Sequence, residues 1–218
     1  ALGRTAGQEQ VAKTVQDARA AGIFNISLDL MLGTPRQTAD GLCQTFDFIR
    51  RIDVPHISAY MLKIEQGTPF FKLRDKLDLP DENDVADMYL ETVSQLEKQG
   101  LLQYEISNFA KPGFESRHNS KYWELAPYLG IGKSAHSFWG GRRFYYDRDF
   151  RIVDDGAGGG REERILLGLR LAKGIEKTLV KKDYTPYVKA GFMKENGSRL
   201  AFTPKGFLVS NTILSELI

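Results

Sequence analysis

Apolar positions along the first hundred residues repeat with two alternating periods. Between Gln8 and Ala21, Val11, Val15 and Ala18 recur at three- to four-residue spacing, which predicts a helix, and Gly22 is placed to end it. From Phe24 to Leu32 the period becomes two. Phe24, Ile26, Leu28, Leu30 and Leu32 share one face, and Asn25, Ser27, Asp29 and Met31 the other, which predicts a strand ended by Gly33-Thr34-Pro35. Leu42, Phe46 and Ile49 then mark a helix from about Ala39 to Ile52. Pro55 breaks it, and His56 to Lys63 reads as a second strand. Gly67-Thr68-Pro69 opens a longer connection. A third helix runs from the acidic Asp81–Asp84 cap to Lys98, stopped by Gly100, and Leu102 to Ser107 reads as a third strand. Helix and strand alternate, so a parallel sheet with right-handed crossovers is expected.

The polar faces of these strands sharpen that expectation. A parallel strand covered on both sides usually reads as a continuous apolar run. Here one face of each strand carries Asn, Ser, Asp, Tyr, Gln or Glu. A part-barrel accounts for this: helices cover the outer face and the inner face lines a site. Three strands cannot close a barrel, which takes about eight. The chain is therefore expected to be the later part of an α/β, (β/α) barrel whose earlier strands lie upstream.

The pattern changes after residue 110. Residues 111–160 form a connecting segment rich in aromatics, glycine and histidine, with Trp123, Trp139, His118 and His136. The run from Asp154 to Gly160 reads as a flexible linker. Residues 161–218 read as a small helical, winged-helix-like domain, with a helix over Arg164–Ala172, a short strand over Arg199–Thr203 and a final helix begun by Thr203-Pro204. Residues 1–110 complete this three-part division as the barrel portion. The tail holds 11 basic and 6 acidic side chains, but the whole chain carries only +2. That balance gives no strong nucleic-acid or membrane signal, and the tail shows no recognition-helix cluster of arginines, so a nucleic-acid-binding module ranks last. One cysteine, Cys43, excludes an internal disulfide framework and an all-cysteine metal site, and a cytoplasmic setting is expected.

Several side chains carry possible chemistry. Asp29, mid-strand on the polar face, could accept hydrogen bonds from ribose hydroxyls or an amine; its structural alternative is a carboxylate paired to a neighbouring strand. Arg4 is by default solvated, and otherwise a planar fork for a ligand carboxylate. His118 and His136 are each lone imidazoles that could ligate iron or shuttle a proton, against the commoner role of a satisfied polar residue. Near His118, Tyr122 and Trp123 offer flat apolar faces and Asn119 an amide, which suits a large planar ligand. His56 opens a strand and is read as structural.

The order of motifs is distinctive. It runs Asn25-Ile26-Ser27-Leu28-Asp29-Leu30-Met31-Leu32-Gly33-Thr34-Pro35, His56-Ile57-Ser58-Ala59-Tyr60, Tyr104-Glu105-Ile106-Ser107-Asn108-Phe109-Ala110, His118-Asn119-Ser120-Lys121-Tyr122-Trp123, Gly130-Ile131-Gly132 and Ala135-His136-Ser137. This resembles the oxygen-independent coproporphyrinogen III oxidase-like family of radical S-adenosylmethionine (SAM) proteins. The His-Asn-x-x-Tyr-Trp stretch is similar to its haem-chaperone (HemW-type) branch. The resemblance implies a part-open barrel of about six strands, SAM, a [4Fe–4S] cluster held by three cysteines upstream of this region, and haem. It implies that Asp29 and Arg4 contact SAM, that His118 holds haem iron, and that Asn119, Tyr122 and Trp123 surround the haem. Cys43 cannot replace the three cluster cysteines, so this chain alone is expected to be inert toward SAM. The implied function is to bind haem and deliver it to acceptor proteins, with membrane association only through an acceptor. The alternative is oxidative decarboxylation of coproporphyrinogen III to protoporphyrinogen IX.

Overall fold

The apolar stripes fold as their periods require. The computed structural model describes residues 6–218, which form two compact units that divide between Glu115 and Ser116. In chain order the first unit contains α1 (Gln8–Ala20), β1 (Ser27–Leu32), α2 (Ala39–Ile52), β2 (His56–Met61), α3 (Pro69–Leu73), α4 (Glu82–Lys98), β3 (Leu102–Gln103) and β4 (Asn108–Ala110). Helix α2 starts where Thr38 Oγ1 accepts the Gly41 N–H at 3.1 Å, and ends at Asp53 in the left-handed conformation, two residues before Pro55. Helix α4 starts at Asp81, whose carboxylate accepts the Asp84 N–H at 2.8 Å.

The sheet order is β1-β2-β4-β3. β1 and β2 pair in parallel, with Ser27 beside His56 and Asp29 beside Ser58. On one side Leu30, Leu32, Ile57, Ala59 and Phe109 are buried, as are Leu42, Phe46 and Ile49 of α2 and Tyr89, Val93 and Leu96 of α4. Each large side chain so buried contributes about 1.5–3 kcal/mol. Gly33 turns the chain at the end of β1 with φ +76°, and a Cβ there would stand 3.0 Å from a Val85 methyl of α4.

The third strand departs from the expected parallel pattern. Residues 104–107 form no strand: Glu105, buried, accepts hydrogen bonds from the Ser107 N–H and the Asn108 amide. That carboxylate-centred turn reverses the chain, so β4 pairs antiparallel with β2 and β3 antiparallel with β4. The side chains of β3 run against simple hydrophobicity. Leu102 is 51% exposed, whereas Gln103 turns toward α4 and donates to Tyr89 Oη at 2.7 Å. Burial, against the partial offset of that hydrogen bond, pushes the Tyr89 phenol up to about 12, so it stays a neutral donor, bonding the Ile106 carbonyl.

The second unit begins with α5 (Arg117–Trp123). It continues through the strands β5 (His136–Trp139), β6 (Arg142–Tyr146) and β7 (Ile152–Ala157), then α6 (Arg161–Gly168), β8 (Ile175–Glu176), α7 (Thr185–Lys189), β9 (Met193–Asn196), β10 (Arg199–Phe202), α8 (Pro204–Leu208) and α9 (Ser210–Leu217). β5, β6 and β7 form an antiparallel meander, so residues 154–157, read from sequence as linker, are strand. The chain is ordered there because β7 pairs along β6, and Arg142 bonds the Asp154 carboxylate. The second sheet, β8-β10-β9, lies in sequence among helices α6 to α9, and Ile165, Leu169, Leu200, Phe202 and Leu214 are buried there.

Candidate functional site

Two places concentrate chemistry, one in each unit. In the first, the side of the sheet opposite the helices carries Ser27 and Asp29 of β1 and His56 and Ser58 of β2. Asp29 is exposed there, a carboxylate open to a ligand on the polar face. His56 is buried at the centre of a chain of hydrogen bonds. Its Nδ1 shares one with Ser27 Oγ at 2.7 Å and its Nε2 shares one with Tyr104 Oη at 2.9 Å. The structural role read for His56 is therefore met. Arg4 lies outside the described residues.

Burial lowers the His56 pKa from its ordinary value, against the opposing pull of Asp29 and Glu115. The native imidazole is thus held neutral, while the unfolded chain takes up a proton at about pH 6.5. Above that pH the group makes no pH-dependent contribution. As pH falls through it toward the lower native value, the unfolded state binds more protons and stability drops. The urea midpoint of the wild type is expected to fall more steeply between about pH 7.5 and pH 5.5 than that of His56→Gln; equal slopes would remove His56 as the source.

The second place is a cleft of about 430 Å³ in the second unit. One wall is α5, begun by Ser116, whose hydroxyl accepts the Asn119 N–H at 3.2 Å. His118, Lys121 and Tyr122 stand at helical spacing of three and four and line the cleft together. Asn119 and Trp123, also four apart, do not line it: the His-Asn-x-x-Tyr-Trp stretch is divided between two helix faces. Trp123 is half-buried, and its indole N–H is buried without a hydrogen-bond acceptor among the described residues.

The opposite wall is the segment from Tyr128 to His136, with Tyr128, Leu129, Gly130, Ala135 and His136 facing the cleft. Tyr128 is fixed by a backbone ladder to Phe138 (2.8 and 2.9 Å) and by the Arg143 guanidinium on its hydroxyl at 3.3 Å. Arg143 in turn pairs with Glu163 of α6 and lies over the Phe138 ring. Tyr122 meets Tyr128 edge-on, centroids 4.7 Å apart, and His118 meets Tyr122 edge-on at 5.0 Å. The cleft thus presents two imidazoles, two phenol rings, one ammonium and an apolar lip. Periodicity had not joined His136 to His118, because 17 residues without a repeating pattern separate them.

Sequence comparison gives the cleft its context. No family model matches the chain. Over its whole length, however, it is 33% identical to the heme chaperone HemW of Bacillus subtilis, of which it spans 65%, and 31% identical to that of Lactococcus lactis, of which it spans 64%. Along its whole length the chain is thus similar to HemW heme chaperones. It spans somewhat under two thirds of the length of these curated relatives. Three quarters of it is also 37% identical to the mouse mitochondrial radical S-adenosyl methionine domain-containing protein 1. In fold, 97% of this chain superposes on 59% of the Escherichia coli coproporphyrinogen III oxidase, a radical SAM enzyme, with a TM-score of 0.72 at 19% identity. The α/β part-barrel expected from the strand pattern is therefore present as a portion of that fold, with no closed barrel among the described residues.

Likeness to radical SAM proteins implies a [4Fe–4S] cluster, and the side chains here can be compared with its needs. Cys43 is exposed on α2, and among the described residues no group of three or more His, Cys, Asp or Glu side chains is placed to hold a metal ion. These residues do not fit the cluster. No helix among the described residues is long and apolar enough to cross a membrane.

Proposed function

We propose that this chain binds haem in the cleft of its second unit, with His118 on the iron, and that the protein serves to hold haem and pass it to acceptor proteins. The observation that carries this is the shared cleft: an imidazole, aromatic walls and a lysine converge on one opening in a chain whose relatives are haem chaperones. Imidazole nitrogen is a common axial donor to haem iron. The rings of Tyr122 and Tyr128 supply apolar edges for a macrocycle, and the Lys121 ammonium can meet a propionate. A volume of about 430 Å³ takes part of a haem and leaves an edge open, which suits a ligand that must leave again. Asn119 and Trp123, on the adjoining face of α5, stand outside the cleft lining. We assign Asp29, and Arg4 by resemblance, to SAM in the complete site, and the cytoplasm as the setting.

The competing reading, decarboxylation of coproporphyrinogen III, rests on likeness of fold to the oxidase. A competition titration separates the two on this chain. An iron–imidazole bond is available to haemin and not to metal-free coproporphyrin III. Haemin is therefore expected to bind one-to-one and to displace coproporphyrin III. Coproporphyrin binding as tight as haemin binding would reject the haem assignment.

A further inference from the structure

We propose that His136 is the second axial ligand, so that haem in this cleft is six-coordinate between two imidazoles. The proposal rests on the haem reading of the cleft and adds the identity of its opposite iron donor. His136 begins β5 and lines the same cleft as His118, from a different element. Its ring is held from two sides. Nδ1 lies 3.5 Å from the Asp155 carboxylate of β7, and the ring stacks at a tilt on Tyr145 of β6, centroids 4.8 Å apart. A carboxylate on the Nδ1 side favours the tautomer with its proton there and would leave Nε2 to the iron. This is the arrangement by which metal-bound histidines are oriented and made better donors. β5, β6 and β7 are neighbours in one meander, so His136, Tyr145 and Asp155 sit on one hydrogen-bonded sheet.

His118 is differently placed. It rides on a helix of seven residues and meets the edge of Tyr122. The cleft therefore has one donor on a braced sheet and one on a short helix. A ligand held this way can be released by movement of α5 alone, while His136 keeps its orientation.

The test is spectroscopic. Haemin is titrated into the whole chain as wild type, His118→Ala, His136→Ala and Asp155→Asn, with Soret position and electron paramagnetic resonance as readouts. The wild type is expected to give a low-spin ferric signal. His136→Ala should turn high-spin and bind about ten- to a hundredfold more weakly, and added free imidazole should restore the low-spin signal. Asp155→Asn should stay low-spin and weaken by about tenfold. A low-spin spectrum and unchanged affinity in His136→Ala, with both lost in His118→Ala, would overturn the second ligand and leave the haem site standing. Absence of haemin binding to the wild type would overturn both. A His136→Ala chain that loses affinity but is not returned to low spin by imidazole would mark a packing role and also overturn the proposal.

Discussion

Replacing His118 by alanine is expected to weaken haemin binding by about a hundredfold or more while leaving the thermal midpoint of the chain unchanged. The side chain is exposed on α5, and alanine has the higher helix propensity, so folding does not depend on it. Its edge contact with Tyr122 is worth about 0.5–1.5 kcal/mol at most, and helix propensity offsets part of that. The bond to iron contributes more. Loss of a group that only orients a metal ligand typically costs ten- to a hundredfold, so loss of a ligand itself should exceed that, or about 2.7 kcal/mol. Isothermal or Soret titration of the two proteins, with thermal melts as the folding control, decides the matter. Equal affinities would strike His118 from the site and return the His-Asn-x-x-Tyr-Trp stretch to a structural role.

Much of this was written in local periodicity. The limits of α2, from Thr38 to Asp53, follow from a hydroxyl cap, an apolar stripe at Leu42, Phe46 and Ile49, and Pro55 beyond the end. The alternation of β1 survives as buried Leu30 and Leu32 opposite exposed Asp29. Pairing was less legible. The stretch from Leu102 to Ser107 alternates like a strand, yet the Glu105 carboxylate binds its own neighbours and turns the chain back. A buried carboxylate satisfied by local N–H donors outweighs a period of two over only six residues, and nothing in the alternation signals it.

The meander was hidden for a related reason. Half of β5 and every residue of β6 and β7 are exposed or only half-buried, so Ile152-Val153-Asp154-Asp155-Gly156-Ala157 carries no clear hydrophobic face and its glycine reads as linker. Hydrogen bonding along β6, rather than burial, holds it. The motif around His118 was visible as a run of unusual residues, and the family resemblance assigned them a single role. Helix geometry then separates His118, Lys121 and Tyr122 from Asn119 and Trp123. Conversely, Asp155 sat inside the expected linker, and its place behind His136 comes only from strand pairing.

Gly130→Ala is expected to abolish haemin binding while the first unit stays folded. A Cβ at residue 130 would lie 2.6 Å from the Ala135 carbonyl oxygen and closer still to that of His136. Both are backbone atoms, so no side-chain rotation can relieve the clash; the segment from Tyr128 to His136 must open. The Gly130 N–H also donates to Ser137 Oγ at 2.9 Å, buried beneath the cleft wall, and opening the segment breaks that bond. Overpacking of this kind costs about 1–3 kcal/mol, and loss of the hydrogen bond about 1 kcal/mol more. In a unit of this size that lowers the thermal midpoint by about 10 °C or more, at roughly 4–8 °C for each kcal/mol. The displaced wall carries Tyr128 on one side and His136 on the other, so aromatic edge and imidazole leave their positions together. Ile131→Ala is the matched control: its side chain is 96% exposed one residue further on, and its loss should leave haemin affinity within about twofold. Equal affinity of Gly130→Ala and wild type would show that this wall does not shape the site.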